Sequence, residues 1–141
     1  ETNRIKTAVS NDGLVWTKQG VVIEPSDVMA LGTPTLDVTA SAGAVVDGDG
    51  DIRLFFTTRG PNAVSLKKGI YMATSTDDGA TFTVQAGPII SEFTTNDQDY
   101  GSQDAAPVYT DEGLRVYYWV GTSEVEPLSA IYSVINASLE Y

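Results

Sequence analysis

Two stretches of this chain lie over one another without a gap. Ser41-Ala-Gly-Ala-Val-Val-Asp-Gly-Asp-Gly-Asp-Ile-Arg-Leu-Phe-Phe56 sets onto Gln103-Asp-Ala-Ala-Pro-Val-Tyr-Thr-Asp-Glu-Gly-Leu-Arg-Val-Tyr-Tyr118 at an offset of 62. Each copy reads as a strand, an acidic glycine-containing turn, and a second strand that carries Arg and ends on two aromatics. The next strand repeats too, as Ile70-Tyr-Met-Ala-Thr-Ser75 and Ile131-Tyr-Ser-Val-Ile-Asn136, with Ile5-Lys-Thr-Ala-Val-Ser10 as an upstream copy. A sequential repeat of this kind is one supersecondary unit that cannot bury its own apolar face, so it must stack against its neighbours.

The apolar runs are short, rich in β-branched and aromatic residues, and bounded by Gly, Pro, Asn or Asp, which predicts strands throughout and no helix. Nine are predicted: Ile5–Val9, Val21–Ile23, Ala42–Val46, Ile52–Thr58, Gly69–Thr74, Pro88–Ile90, Pro107–Tyr109, Leu114–Val120 and Ile131–Ile135. Four antiparallel strands per repeat, innermost strand first, make the blade of a β-propeller. The chain then holds about two and a half blades: residues 1–30 the second half of one, 31–95 a complete one, and 96–141 strands 1 to 3 of a third. That is fewer than the roughly 4–8 blades that close a ring. A nine-stranded β-sandwich or barrel is the alternative that periodicity leaves open. The chain opens on Glu1, directly before a patterned segment, as expected of a piece of a longer protein.

Composition narrows the chemistry. With 8 Lys and Arg against 19 Asp and Glu, the 141 residues carry a net charge of −11, a field that repels phosphate backbones and anionic lipid alike. Nucleic acid and membrane surfaces are therefore not expected partners. The chain has neither Cys nor His, so disulfides, structural zinc, thiol nucleophiles, Ser-His-Asp arrangements and imidazole bases are all excluded. Any catalysis falls to carboxylates, and no cofactor is implied.

Most of those carboxylates have a structural reading. Ser75-Thr-Asp-Asp-Gly-Ala-Thr-Phe82 fits the Asp-box pattern Ser-x-Asp-x-Gly-x-Thr-aromatic, and Ser10-Asn-Asp-Gly-Leu-Val-Trp16 is a shorter relative. In both, Asp and Gly are expected to close a hairpin while the aromatic plugs the space between sheets. Asp47-Gly-Asp-Gly-Asp51 invites a calcium reading but fails the EF-hand test, with Ile52 where Gly is needed and Thr58 where Glu is needed, so it is read as a hairpin turn with no metal. Asn136-Ala-Ser138 matches a glycosylation acceptor, a pattern common by chance.

Taken in order, these pieces resemble the five-bladed β-propeller glycosidases, that is, the arabinanase and β-xylosidase family and the invertase and levansucrase clan. Ala8-Val-Ser-Asn-Asp-Gly-Leu-Val-Trp16 is similar to the end of their first blade. Ala40 to Val46 with Ile52 to Thr57 is similar to the Ser-Gly-Ser-Ala to Leu-Phe-Tyr-Thr stretch of their second. Asp104 to Tyr109 with Arg115 to Tyr118 is similar to their third, which opens on Arg-Asp-Pro in the sucrose-acting members, where this chain has Gln103-Asp104-Ala105 and Pro107.

The resemblance implies a nucleophile or base, a general acid, and a third Asp that stabilises the transition state or tunes the acid. Only the third has a matching position here, Asp104. The nucleophile would lie before position 1 and the acid after position 141. Strand direction puts the loop that enters strand 1 on one face with Leu31–Ala40, the 59–68 loop, Asn96–Gln103 and Ser123–Ser129, so Asp37 and Gln103 join Asp104 as candidate sugar-binding residues. Trp119, near the end of strand 2, either stacks on a sugar or packs between blades. The gapless repeat sets Ala42 on Asp104, so the complete blade is expected to lack a carboxylate at that position.

The functional expectation is a carbohydrate-active propeller, a glycoside hydrolase or fructosyl-transferring relative when complete. The alternative is a non-catalytic sugar-binding or interaction module. Nine strands that begin and end on strand 3 leave apolar inter-blade faces, marked by Trp16, Tyr132 and Tyr141, and predict a homodimer that nearly completes a propeller and brings two copies of Asp104 to one channel.

Overall fold

The short β-branched runs pair with their chain neighbours into three antiparallel sheets. The computed structural model describes residues 3–31, 38–59, 69–90, 101–121 and 129–136. The first sheet joins β1 (Ile5–Val9) to β2 (Thr17–Ile23). The second runs β3 (Val38–Val46), β4 (Ile52–Arg59), β5 (Gly69–Ser75) and β6 (Thr83–Val84), and the third runs β7 (Gly101–Thr110), β8 (Gly113–Gly121) and β9 (Ser129–Asn136). Two, four and three sequential strands make an all-β, partial propeller of about two and a half blades.

The core explains why β4 and β5 read as near-continuous apolar runs rather than as alternating ones. Successive side chains of a strand point to opposite faces, and the second sheet is covered on both. Leu54, Phe56, Tyr71 and Ala73 pack toward the first sheet against Ile5, Ile23 and Val28, with Phe56 and Tyr71 stacked at 6.1 Å between ring centroids. Phe55, Ile70 and Met72 pack the other way, against Ala105, Leu114, Val116, Tyr118 and Val120 of the third sheet. Among the described residues the third sheet has no such cover beyond it. Tyr117 and Ile131, on its far side, are 43% and 76% exposed.

Two local expectations are corrected. A helix is present, α1 (Pro25–Met29), where strands alone were expected. Its start is written in Glu24-Pro25-Ser26-Asp27: proline at the first helical position has no N–H to lose, and the Glu24 N–H donates to Asp27 Oδ2 at 2.9 Å. The helix inserts fully buried Val28 under the first two sheets. The fourth strand of the second sheet is Thr83–Val84 rather than Pro88–Ile90, because the ladder resumes directly after the preceding turn. Ile90 only bridges to Ile70, and Pro88 brings no N–H to a ladder.

The turns between strands are held by their carboxylates. Asp77 accepts from the Thr81 hydroxyl at 2.6 Å, the Thr81 N–H at 2.9 Å and the Ser75 hydroxyl at 2.7 Å, while Ser75 Oγ accepts the Gly79 N–H. Those donors favour the ionised form and hold Asp77 down to about 2. Ser10 and Asp12 repeat the arrangement, with Asp12 taking the N–H groups of Val15 and Leu14, which lower its pKa as well. The aromatic at the end differs between the two. Phe82 packs on the core as expected, whereas Trp16 is 60% exposed and its indole N–H turns back to the Gly13 carbonyl. At Asp47, burial opposes the charge, but the Asp51 N–H and the Arg53 guanidinium, 2.9 Å away, outweigh it and hold the carboxyl below its usual range.

Adjoining blades meet most closely at Gly43 on β3. A Cβ there would overlap the Ala105 carbonyl oxygen of β7 and stand 2.9 Å from Pro107 Cδ, so no residue but glycine fits without moving the inner strands apart. Gly43→Ala is expected to cost about 1–3 kcal/mol, the usual range for overpacking, read as a lower urea midpoint. Asp77→Asn tests the turn. Because the folded pKa lies below the ordinary 3.8, the turn's contribution is complete above that value and is lost as pH falls toward 2. The stability gap between wild type and variant should therefore be constant near neutrality and close between about pH 4 and pH 2, measured by denaturation at stepped pH.

Candidate functional site

The inner strands β3 and β7 each carry a β-bulge at the same level. On β3, Ala40 pairs with Thr57 and Gly43 with Phe55, so Ser41 and Ala42 together face Phe56. On β7, Gln103 pairs with Trp119 and Ala106 with Tyr117, so Asp104 and Ala105 together face Tyr118. The first residue of each bulge is left-handed, Ser41 at φ 53° and Asp104 at φ 57°. Non-glycine residues rarely adopt that conformation, and two in matching places make a repeated feature of the inner wall.

This register corrects the gapless repeat. Between Val46 and Ile52 the first hairpin spends five residues, whereas between Tyr109 and Leu114 the second spends four. The outer strands keep the offset of 62 while the inner ones shift to 63, so Asp104 matches Ser41 and not Ala42. The expected lack of a carboxylate in the complete blade stands, but the residue there is a polar serine. The pair of aspartate-containing turns, one residue different in length, was the signal in the sequence that a gap belonged between the strands.

Asp104 differs from the turn-building aspartates in what is hydrogen bonded. Asp12, Asp47 and Asp77 each accept backbone N–H groups through their carboxylates. At Asp104 the backbone N–H is the bonded group, donating to Thr57 Oγ1 of β4 across the boundary between sheets at 3.2 Å. Its side chain is exposed, and among the described residues nothing donates to its carboxylate. A carboxylate with unspent acceptor capacity, on a backbone fixed from outside, is able to take hydrogen bonds from a ligand or to face developing positive charge.

Beside Ser41 a cleft of about 820 Å³ opens between β1 and β3, lined by Asn3, Arg4, Ile5, Lys6 and residues 39–42. Asp104 is not part of its lining. Gln103 is placed by its backbone alone, on β7 opposite Trp119. Trp119 is half-buried on β8, one strand out from the inner wall, in register with Ile131 and two positions from Tyr117. Asp37, Tyr141, the side chain of Tyr132, the 60–68 and 91–100 loops and the Asn136-Ala-Ser138 side chains lie outside the described residues. Among the described residues no three of Asp or Glu are grouped to hold a metal ion, and no helix is long and apolar enough to cross a membrane.

Comparison with solved structures places this architecture. A Bombyx mori GH32 β-fructofuranosidase superimposes with a TM-score of 0.68 at 20% identity, covering 92% of this chain. The chain has the fold of a propeller segment. A mutant of the same enzyme, solved in complex with sucrose, superimposes with a TM-score of 0.67 at 20% identity and the same 92% coverage. The chain spans 25% of the length of each. No family model matches it, and no curated protein is significantly similar. The propeller likeness therefore rests on backbone geometry.

Proposed function

We propose that this chain forms part of the channel wall of a carbohydrate-active β-propeller, a glycoside hydrolase or fructosyl-transferring relative when complete, with Asp104 as its supporting carboxylate. The observation that carries the reading is the exposed carboxylate of Asp104 on a left-handed inner-strand bulge, with no donor among the described residues. The GH32 likeness, and the sucrose complex of one solved neighbour, support a sugar as the ligand and sucrose as the first probe.

In this reading Asp104 accepts hydrogen bonds from sugar hydroxyls and stabilises the oxocarbenium-like charge that develops as the glycosidic bond breaks. Ser41 presents a hydroxyl from the neighbouring blade at the same level. Asp37, Gln103 and Trp119 are further sugar-contacting candidates. Nucleophile and general acid belong to blades outside positions 1–141, and the full reaction belongs to the longer protein. Sucrose added to the ¹⁵N-labelled chain is expected to move the amide signals of Asp104 and Ser41, and Asp104→Asn, which keeps the left-handed backbone, to abolish the response. Unchanged spectra at high sucrose would remove the sugar-binding reading.

A second reading, a non-catalytic sugar-binding or interaction module assembling as a dimer, is favoured by one observation. Tyr117, Ile131 and Trp16 leave aromatic and aliphatic surface in water on the outer sheets. Pairing would cover it and bring two copies of Asp104 to a shared channel. Light scattering after size exclusion is expected to give a species near twice 15.0 kDa if that assembly forms, and a sharp monomer at 15.0 kDa would sink it.

A further inference from the structure

We infer that Thr57 is the positioning residue of Asp104, a role that rests on the sugar-channel reading above but is built from contacts independent of it. Thr57 lies on β4, one strand out from the inner wall, and is almost fully buried. Its side chain shares the face of Phe55, which looks onto the third sheet, and there its hydroxyl oxygen accepts the Asp104 N–H. The bond runs between blades. It reaches the one residue of β7 whose backbone is left-handed, within a bulge where Asp104 and Ala105 share a single partner on β8.

Three features make this more than ordinary packing. An amide at a bulge loses its regular place in the ladder, so a donor that the sheet does not satisfy is satisfied from the neighbouring blade. The next residue, Ala105, is the one whose carbonyl presses over Gly43, so the bulge is gripped on both sides by the second blade. The clamp is also not a property of the repeat. At the offset of 62 that the outer strands keep, the counterpart of Thr57 on β8 is Trp119, and an indole has a donor but no acceptor.

The consequence is that blade two sets the backbone of Asp104, and through it the direction of the carboxylate. Hydrogen exchange of the ¹⁵N-labelled wild-type chain gives the first test. The Asp104 amide, although its residue is exposed, is expected to exchange at least about tenfold more slowly than the Asp111 amide in the turn between β7 and β8. Thr57→Val keeps the shape and removes the acceptor, and it should erase that protection and move the Asp104 amide signal. Thr57→Ser keeps the acceptor and should restore both. A fast-exchanging Asp104 amide in the wild type would overturn the assignment, as would a folded Thr57→Val chain with unchanged Asp104 signals. If Thr57→Val fails to fold, the wild-type exchange rate and the Thr57→Ser spectrum still decide. Failure of sucrose to bind leaves these readouts untouched and counts against the sugar-channel reading alone.

Discussion

The inner strands of the second and third blades approach until a backbone carbonyl of one occupies the space where a side chain of the other would stand. Gly43 permits this, and much of the local geometry depends on it. With β3 and β7 this close, the aromatics behind them, Phe55 on one side and Tyr118 on the other, are drawn into one buried cluster. Each of the two strands carries a bulge at this same level. The bulges turn Ser41 and Asp104 into left-handed conformations. Contact, bulge and exposed carboxylate meet at one level of the two inner strands.

The middle sheet carries the core of the segment. Both of its faces are buried, so it has the apolar content of a core rather than of a surface sheet, and each flanking sheet needs to supply only one face. The outer sheets are correspondingly amphipathic in an unusual sense. The far side of the third sheet carries exposed Tyr117 and Ile131 beside Arg115.

Much of this was legible in the sequence because repetition exposes packing twice. Arg ahead of two aromatics, in two copies, located β4 and β8. What was not legible depended on single residues acting against the pattern. The helix at Pro25–Met29 is too short for a periodic signal and is announced only by its start, Glu24-Pro25 with Asp27. The one-residue difference between the acidic hairpins was invisible to a gapless comparison, since strand and turn residues on either side matched well enough to hide it. Thr57 could not be found at all from its own strand, because its role is defined by a partner on another blade.

Aspartate in this chain also shows that a residue type does not announce its role, but its hydrogen bonds do. Where the carboxylate is the acceptor of local N–H groups, as at Asp12, Asp47 and Asp77, the side chain builds the backbone and its charge is satisfied by doing so. Such a group has little left to offer a ligand. At Asp104 the direction is reversed: the backbone is fixed by Thr57, while the carboxylate has no described donor. Holding a non-glycine residue left-handed costs about 1–2 kcal/mol, a cost no turn requires here since glycine would fit the conformation better. Glycine would supply the bulge but not the carboxylate. Ser41 and Asp78 adopt the same conformation, so the proposed sugar-binding role of Asp104 rests on the open acceptor capacity at the bulge and not on the left-handed backbone alone.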